Sequence, residues 1–529
     1  MTVTQEYLLV LLKEVDEICK KYNITYYLAG GTLVGAVRHG EFLPWDDDAD
    51  IHMFREDAER FIEAVKAENK EDRLVYTESE KGQYGQVHWR YQNVGTTSLL
   101  RSLVATDAAQ GQFVDIFVLY PVPKDEEAKN ELLKNYELYL ELRAQNVTVS
   151  SRHRDQNYLK DYYSYKAKEK KIGKQKVLRE LEEKIFYYPD ELADEWLIRS
   201  PNPSKRTTPK EWWGTPRYVK FEDTELPVAE YAEVLMCDQY GPTWFEIPQH
   251  VERGSHTFAS DFEIPYSVYT AEYKKHINEE EFYNWSVRKK DFWFKLLWDR
   301  NVVRPQLWEM KGLQLSLELQ QAVEDYNFDL KQMVKDQRFD EIAMIFQTYF
   351  DFYTKDGVKF WNLYVDIPDE YLYAAVYKFC FDGNYSRAKK LLKKRILIDR
   401  EISEDIMELD AICDATDDLL INMYTLKDYV RSREIIDEWL DKYPNLLYFL
   451  RAKMFLDIND KVADNETLLA QCNTYLEMYP NDGELLKSRG DILIDMGLIK
   501  DGELCYKKAL DKLRNGFYVF DIKNYFRDK

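Results

Sequence analysis

Over residues 1–24 the apolar positions Leu8, Leu11, Leu12, Val15, Ile18, Cys19 and Tyr22 recur at the three-and-four spacing of a helix, with Glu6, Lys13, Glu14, Asp16 and Glu17 among them. This pattern predicts an amphipathic helix lying on a core, not a signal peptide. Ile24 to Ala29 is then almost continuously apolar, the mark of a buried strand. Gly30-Gly31 interrupts it. A short helix follows, with Thr32 suited to its N-cap, Gly35 allowing close packing against a sheet, and Arg38 and His39 at its end. A proline-closed loop next delivers Asp46, Asp47, Asp48 and Asp50 beside a second strand, Ile51 to Phe54. If that strand already includes the aspartates, alternation puts Asp48 and Asp50 on one face across Ala49.

The pattern continues with a helix over Glu56 to Lys66, whose apolar side is Phe61, Ile62 and Val65. Strands are predicted at Leu74 to Thr77, Gln86 to Tyr91 and Phe113 to Val118. His88 and Arg90 share one face of the second of these. In the third, Asp115 stands between Val114 and Ile116, where an uncompensated carboxylate is costly to bury, so a cation or a basic partner is expected beside it. Residues 124–200 are charged and helix-forming, with a break near Asn146 to Ser151. Four prolines and Trp212-Trp213 between Pro201 and Pro216 predict a loop suited to lining a substrate.

From about residue 331 the character changes. Leu486, Gly490, Leu493, Gly497, Ile499, Gly502, Tyr506 and Ala509 alternate large and small positions as a tetratricopeptide-like helical hairpin does. Val376, Phe379, Gly383, Tyr385, Ala388 and Leu392 make a weaker unit, and Tyr443-Pro444 and Tyr479-Pro480 mark the ends of two more. A stacked solenoid of about four to five units is expected. Its role is docking of a protein partner, binding of an acceptor, or rigidification.

A length of 529 residues, 32% of them charged and 45% hydrophobic, fits a soluble globular chain of about three domains. The net charge of −22 argues against nucleic acid or an anionic lipid surface as partner. Basic groups at Lys166 to Lys174 and at Lys205, Arg206 and Lys210 read as a solvated helix face or as steering for an anionic acceptor. The six cysteines are scattered, so neither a zinc site nor a disulfide framework is indicated. No run approaches the ~18 apolar residues of a membrane span, and a cytoplasmic location is expected.

The chemistry is concentrated in Tyr27 to Phe54. Gly30 and Gly31 offer backbone N–H groups at a helix start, where phosphate is well received. Asp46, Asp48 and Asp50 offer hard oxygen ligands to a divalent cation. An EF-hand fails because Ile51 stands where its glycine belongs, and a P-loop fails because Ala36 and Val37 replace Lys and Ser/Thr. An acidic surface turn is the plain alternative.

The stretch GGTLVGAVRHGEFLPWDDDADI closely resembles the signature of LicD-type phosphotransferases, the family that includes fukutin and fukutin-related protein. Arg90, the segment Gly111-Gln-Phe-Val-Asp115-Ile-Phe and a later VKFEDTELPVAEYAEVLMCDQYGPTWFEIP extend the resemblance over most of residues 1–256. It implies an α+β nucleotidyltransferase fold, a mixed sheet with flanking helices, over 1–256 with a helical insertion at about 124–200. A helical connector, 257–330, and an all-α tetratricopeptide-like solenoid, 331–529, follow.

The resemblance further implies transfer of phosphocholine or a polyol phosphate from a CDP-linked donor such as CDP-choline to a hydroxyl of a glycan or glycolipid, with release of CMP. Asp48, Asp50 and Asp115 are then the expected catalytic residues and ligands of Mg²⁺, with Mn²⁺ as the other candidate ion. Gly30, Gly31, Thr32, Arg38 and Arg90 are expected on the substrate, Arg38 with a salt bridge to the aspartates as its alternative. Asp115 is the expected proton acceptor, directly or through a second metal. Trp45, Trp89, Trp212 and Trp213 are candidates for a choline ammonium group. The competing readings are a nucleotidyltransferase that places NMP on its acceptor, a glycosyltransferase using the acidic pair, and a non-catalytic repeat scaffold.

Overall fold

The computed structural model describes residues 1–77, 88–100, 108–143, 156–198, 207–247, 259–276 and 404–529, with isolated positions between 332 and 393. The chain divides into two compact units, residues 1–239 with 250–290 and residues 240–249 with 291–529.

The first unit begins with α1 (Val3–Tyr22), started by a reciprocal Thr2/Gln5 capping box and ended by Asn23 in the left-handed conformation. That exit holds the Ile24 N–H on the Cys19 carbonyl, so the strand expected from Ile24 is reduced to β1 (Tyr27–Leu28). The next elements are α2 (Gly30–His39), β2 (Asp50–Phe54), α3 (Arg55–Glu68), β3 (Arg73–Tyr76), β4 (Trp89–Asn93), β5 (Thr97–Leu99) and β6 (Gln112–Pro123). Three helices follow, α4 (Glu126–Arg143), α5 (Gln156–Ile172) and α6 (Lys174–Ile185), then β7 (Ala193–Ile198) and β8 (Thr207–Pro209). The hairpin β9 (Arg217–Phe221) and β10 (Thr224–Val228), α7 (Ala232–Tyr240), β11 (Ala259–Asp261) and α8 (Tyr266–His276) complete the described part.

Seven strands form one mixed sheet, ordered β1-β2-β6-β4-β3, with β7 on β6 and β8 on β7. Only β2 and β6 run parallel; the other pairs are antiparallel. The 12-residue β6 is the axis, carrying β4 along its first half, β2 along its middle and β7 along its end. Residues 193–198, read from sequence as part of a helical elaboration, thus extend the central sheet, because Trp196 and Leu197 pair with Pro121 and Tyr120 and are buried there. The expected break near Asn146 to Ser151 lies outside the described residues.

Strand alternation gives the sheet two different faces. Ile51, Met53, Tyr91, Val114 and Ile116 are fully buried on the side of α1 and α3, where Tyr91 packs on Phe61 and donates to Glu14. The opposite face carries Asp50, Asp115 and Arg90 at register-matched positions.

Among its described residues the second unit is helical: α9 (Glu404–Leu420) running into a π turn (Ile421–Leu426), then α10 (Tyr429–Lys442), α11 (Leu447–Asn459), α12 (Asn465–Met478), α13 (Gly483–Asp495), α14 (Ile499–Leu510) and α15 (Gly516–Arg527). Its core includes Leu447, Met454, Leu468, Cys472, Ile492 and Ala509. α13 and α14 approach closely at the small positions singled out in the sequence: a Cβ on Gly490 would meet the Tyr506 ring at 2.5 Å, and one on Gly502 would meet Ile494 at 2.5 Å. Residues 240–249, which the sequence places at the end of the first domain, group with this unit. Most of the weaker repeat at Val376 to Leu392, and most of the connector 257–330, lie outside the described residues. Among those described, no helix is long and apolar enough to cross a membrane.

Candidate metal and phosphate site

The site is built around the start of α2. Ala29 is the N-cap, its own N–H bound to the Asp50 carbonyl, and the helix begins at Gly30. Thr32 is therefore not the N-cap expected from sequence. It sits buried in the first turn, where its Oγ1 accepts the Asp50 N–H at 3.1 Å and ties β2 to the helix. The first N–H groups of a helix have no acceptor within it, which leaves this turn suited to an anion.

Two carboxylates stand directly against the diglycine. A Cβ on Gly30 would fall 2.3 Å from Asp50 Oδ2, and one on Gly31 2.3 Å from Asp46 Oδ2. Gly30 also has φ +53°, which a side chain resists. Both glycines are thus required by the approach of the acids, and Gly30 by the backbone as well. Gly35 makes a comparable close approach, not to the sheet but to the Glu41–Leu43 backbone.

The aspartates do not lie as strand alternation suggested. β2 begins at Asp50, so Asp48 belongs to the loop, and Asp46, Asp47 and Asp48 bring carboxylate oxygens to within 4.8 Å of one another. Gln5 fixes this loop from α1: its buried amide donates to the carbonyls of Leu43 and Asp46, each at 3.0 Å. Nothing in the spacing of the opening helix singles out Gln5, because this contact joins segments about forty residues apart.

Asp50, Asp115 and Arg90 form one row across β2, β6 and β4, Asp50 opposite Asp115 and Asp115 opposite Arg90. Arg90 grips Asp115 through Nε to Oδ1 at 2.5 Å and Nη2 to Oδ2 at 3.2 Å, and His88 Nε2 lies 3.2 Å from Oδ2. All three side chains are buried. The buried carboxylate of Asp115 thus has the arginine partner that stood as the alternative to a cation. Arg90, expected on a substrate phosphate, is committed to Asp115 and stacks its guanidinium 3.8 Å over the Phe113 ring.

The electrostatics of the two acids diverge. Burial, then the charges of Asp48, Asp115 and Asp46, push the Asp50 carboxyl well above the usual range, against the opposing charge of Arg90. Burial also acts upward on Asp115, but Arg90 and His88 outweigh it and hold that carboxyl well below the range. A crowded acid of this kind is what an added cation relieves; among the described residues the carboxylates that lie close enough together to share one ion are those of Asp46, Asp47 and Asp48, while Asp50 stands against Gly30 and Asp115 is met by Arg90 and His88.

Arg38 is buried at the end of α2, and burial lowers its pKa to about 10. Its Nε contacts His39 Nδ1 at 3.4 Å, while Nη2 is buried with no hydrogen-bond partner among the described residues, a donor available to an anion. The tryptophans considered for an ammonium group are disposed otherwise. Trp213 is buried, in ring contact with Tyr27, Phe54 and His52, and bonded to Thr208. Trp89 pairs with Ile116 and so points to the α1 face, away from the acids. Trp45 and Trp212 are half-buried.

Residues 23–148 match the family model described as LicD/FKTN/FKRP, nucleotidyltransferase domain. The chain is 44% identical over 70 residues to the lipopolysaccharide cholinephosphotransferase LicD of Haemophilus influenzae, a stretch covering 13% of this chain and 26% of that protein. It is 49% identical over 35 residues to the ribitol 5-phosphate transferase FKRP of Homo sapiens, 7% of each chain. The matched stretches therefore span only a minor part of these relatives.

Proposed function

From the LicD-family domain at residues 23–148 we infer that this chain is a phosphotransferase, and we propose that it moves a phospho-alcohol group from a CDP-linked donor to a glycan hydroxyl. Phosphocholine is the first candidate group and a polyol phosphate such as ribitol phosphate the second, after the activities named for the two relatives. The observation that carries this reading is the meeting of Asp46 and Asp50 with the Gly30-Gly31 turn, with Asp115 in register beside Asp50. A helix start that receives phosphate and a set of carboxylates that receives a cation together form a receptor for a metal diphosphate. The mixed sheet is in keeping with a nucleotidyltransferase fold, and the α13–α14 hairpin with a tetratricopeptide-like repeat.

Asp46, Asp47 and Asp48, with Asp50 next to them, would hold Mg²⁺, or Mn²⁺ in its place, and a bound ion would neutralise the diphosphate and polarise the transferring phosphoryl group. The chain's own groups do the rest. Gly30 and Gly31 orient the diphosphate by main-chain N–H groups, Thr32 holds Asp50 in place, and Arg38 supplies a donor to a phosphate oxygen. Arg90 and His88 keep Asp115 ionised and fixed. A carboxylate held so low accepts a proton poorly, so Asp115 serves as an orienter rather than as the general base expected from sequence. In the transfer, the acceptor oxygen bonds to the phosphorus remote from cytidine, the bond from that phosphorus to the bridging oxygen breaks, CMP leaves, and the acceptor proton passes to solvent.

The test is ³¹P NMR of the products formed from CDP-choline and CDP-ribitol with Mg²⁺ and candidate glycan acceptors. Release of CMP with a phosphodiester on the glycan is expected. A product carrying the nucleotide would replace this reading with nucleotidyl transfer, and failure of every CDP-alcohol to raise the melting temperature with Mg²⁺ would leave a non-catalytic scaffold.

A further inference from the structure

The acids of the diglycine site sit in a stretch, Gly40 to Ala49, that belongs to no helix or strand, and one residue from far along the chain holds its start. β9 and β10 are joined by the two-residue turn Glu222-Asp223, with Phe221 paired to Thr224. Glu222 takes φ +52° in this turn, at the position where a tight hairpin favours glycine. Its main chain and its side chain both engage the acid-bearing stretch. The N–H donates to the Gly40 carbonyl at 2.7 Å, and Oε1 accepts the Phe42 N–H at 2.9 Å. Next to it the buried rings of Phe221 and Phe42 meet edge-on at 4.7 Å, and the Lys220 carbonyl oxygen stands 3.3 Å from where a Cβ on Gly40 would lie. The neighbouring Asp223 pairs at 2.7 Å with Lys13 of α1, the helix whose Gln5 holds the Leu43 and Asp46 carbonyls.

A residue with a side chain held in the left-handed region is strained, and the strain persists only where the surroundings over-determine it. Glycine at position 222 would relieve that backbone and keep the hydrogen bond to Gly40, but it would take the acceptor away from the Phe42 N–H. The side chain is therefore what accounts for a glutamate here, and what it touches is the stretch that delivers Asp46, Asp47 and Asp48. That stretch is pinned by Glu222 four residues before Asp46, by Gln5 at Leu43 and Asp46, and by Thr32 at Asp50. It is thus fixed before, within and after the three acids. We propose that Glu222 is a positioning residue, a latch that sets the Asp46, Asp47 and Asp48 carboxylates for a divalent cation by holding Phe42. The proposal rests on the reading of those acids as the cation holders given above.

The test compares Glu222→Gly with Glu222→Gln in the full-length chain, by thermal unfolding over a Mg²⁺ titration and by hydrogen exchange. In Glu222→Gly the melting temperature without metal is expected at or above that of wild type, since the strain relieved and the hydrogen bond lost are of similar size. The Mg²⁺ concentration for half-maximal thermal protection should rise at least about fivefold, and the Phe42 N–H should exchange about tenfold faster. Glu222→Gln keeps an oxygen that accepts from Phe42, and should return the Mg²⁺ half-point to within about twofold of wild type. A glycine variant with an unmoved half-point, whatever its melting temperature, makes Glu222 a residue of the hairpin alone and overturns the proposal. So does a glutamine variant as impaired as the glycine one. Should Mg²⁺ fail to protect wild type, the cation reading falls and exchange judges the latch: acceleration from Phe42 through Asp48 supports it, and acceleration confined to the 222–223 turn overturns it.

Discussion

Asp50 and Asp115 stand directly opposite one another across the parallel β2–β6 pair, yet one is pushed above the ordinary carboxylate range and the other held below it. The difference is positional. Asp115 has Arg90 on its other flank in the same row, whereas Asp50 faces Asp46 and Asp48.

Asp50→Asn is expected to separate stability from function. Removing the most crowded charge raises the melting temperature in the absence of divalent cation, by about 2–4 °C for each kcal/mol of repulsion relieved, while transfer is lost. Differential scanning calorimetry with and without Mg²⁺ checks this. A variant that melts lower than wild type without metal would contradict the crowding.

Arg90→Ala leaves the Asp115 carboxylate buried without its main partner and is expected to cost about 3–5 kcal/mol, more than removing a solvent-exposed contact would. A double-mutant cycle with Asp115→Asn in urea denaturation should return a large coupling energy. Additivity of the two changes would show that Arg90 does not act through Asp115.

Gly31→Ala places a Cβ 2.3 Å from Asp46 Oδ2 in a position of ordinary φ, so its effect is on the acids rather than on the backbone. The expected outcome is a chain that folds but titrates Mg²⁺ with an affinity lower by at least about tenfold, the equivalent of 1.4 kcal/mol. Isothermal titration calorimetry reads it. Unchanged affinity would mean that Asp46 is not a ligand.

Gln5→Leu removes both amide hydrogen bonds that hold the Leu43 and Asp46 carbonyls. A loss of about 0.5–1.5 kcal/mol is expected, from removing the donor to the Asp46 carbonyl, since the half-buried Leu43 carbonyl keeps the Asp46 N–H. The Mg²⁺ concentration needed for half-maximal thermal protection should rise as well, and restoration of a donor in Gln5→Asn should recover part of it.

Glu484 is buried beside Arg451, Asp482 and Glu246, and burial pushes its carboxyl up to about 7. Between the ordinary glutamate value and about 7 the native chain holds a proton that the unfolded chain has released. This contribution to stability is complete below that window and is lost as pH rises through it, by up to about 1.4 kcal/mol per pH unit. Glu484→Gln should flatten the fall of stability between pH 5 and pH 7 seen by chemical denaturation. A parallel offset with unchanged slope would exclude Glu484 as the titrating group.

The family signature, the opening helix, strands β2, β3, β4 and β6 and the helical character of the C-terminal region were legible in the sequence, since periodicity and glycine placement are local properties, whereas β5 and β7 to β11 were not. So was the meeting of a diglycine turn with an acidic run. Tertiary structure decided what each acid meets. That Asp48 stays in the loop depends on where β2 starts, that Arg90 is spent on Asp115 depends on the register of β4 against β6, and that Gln5 clamps the aspartate loop depends on how α1 lies on the unit. Register and contact between segments distant along the chain arise only when the sheet assembles, and spacing within one segment carries no record of them.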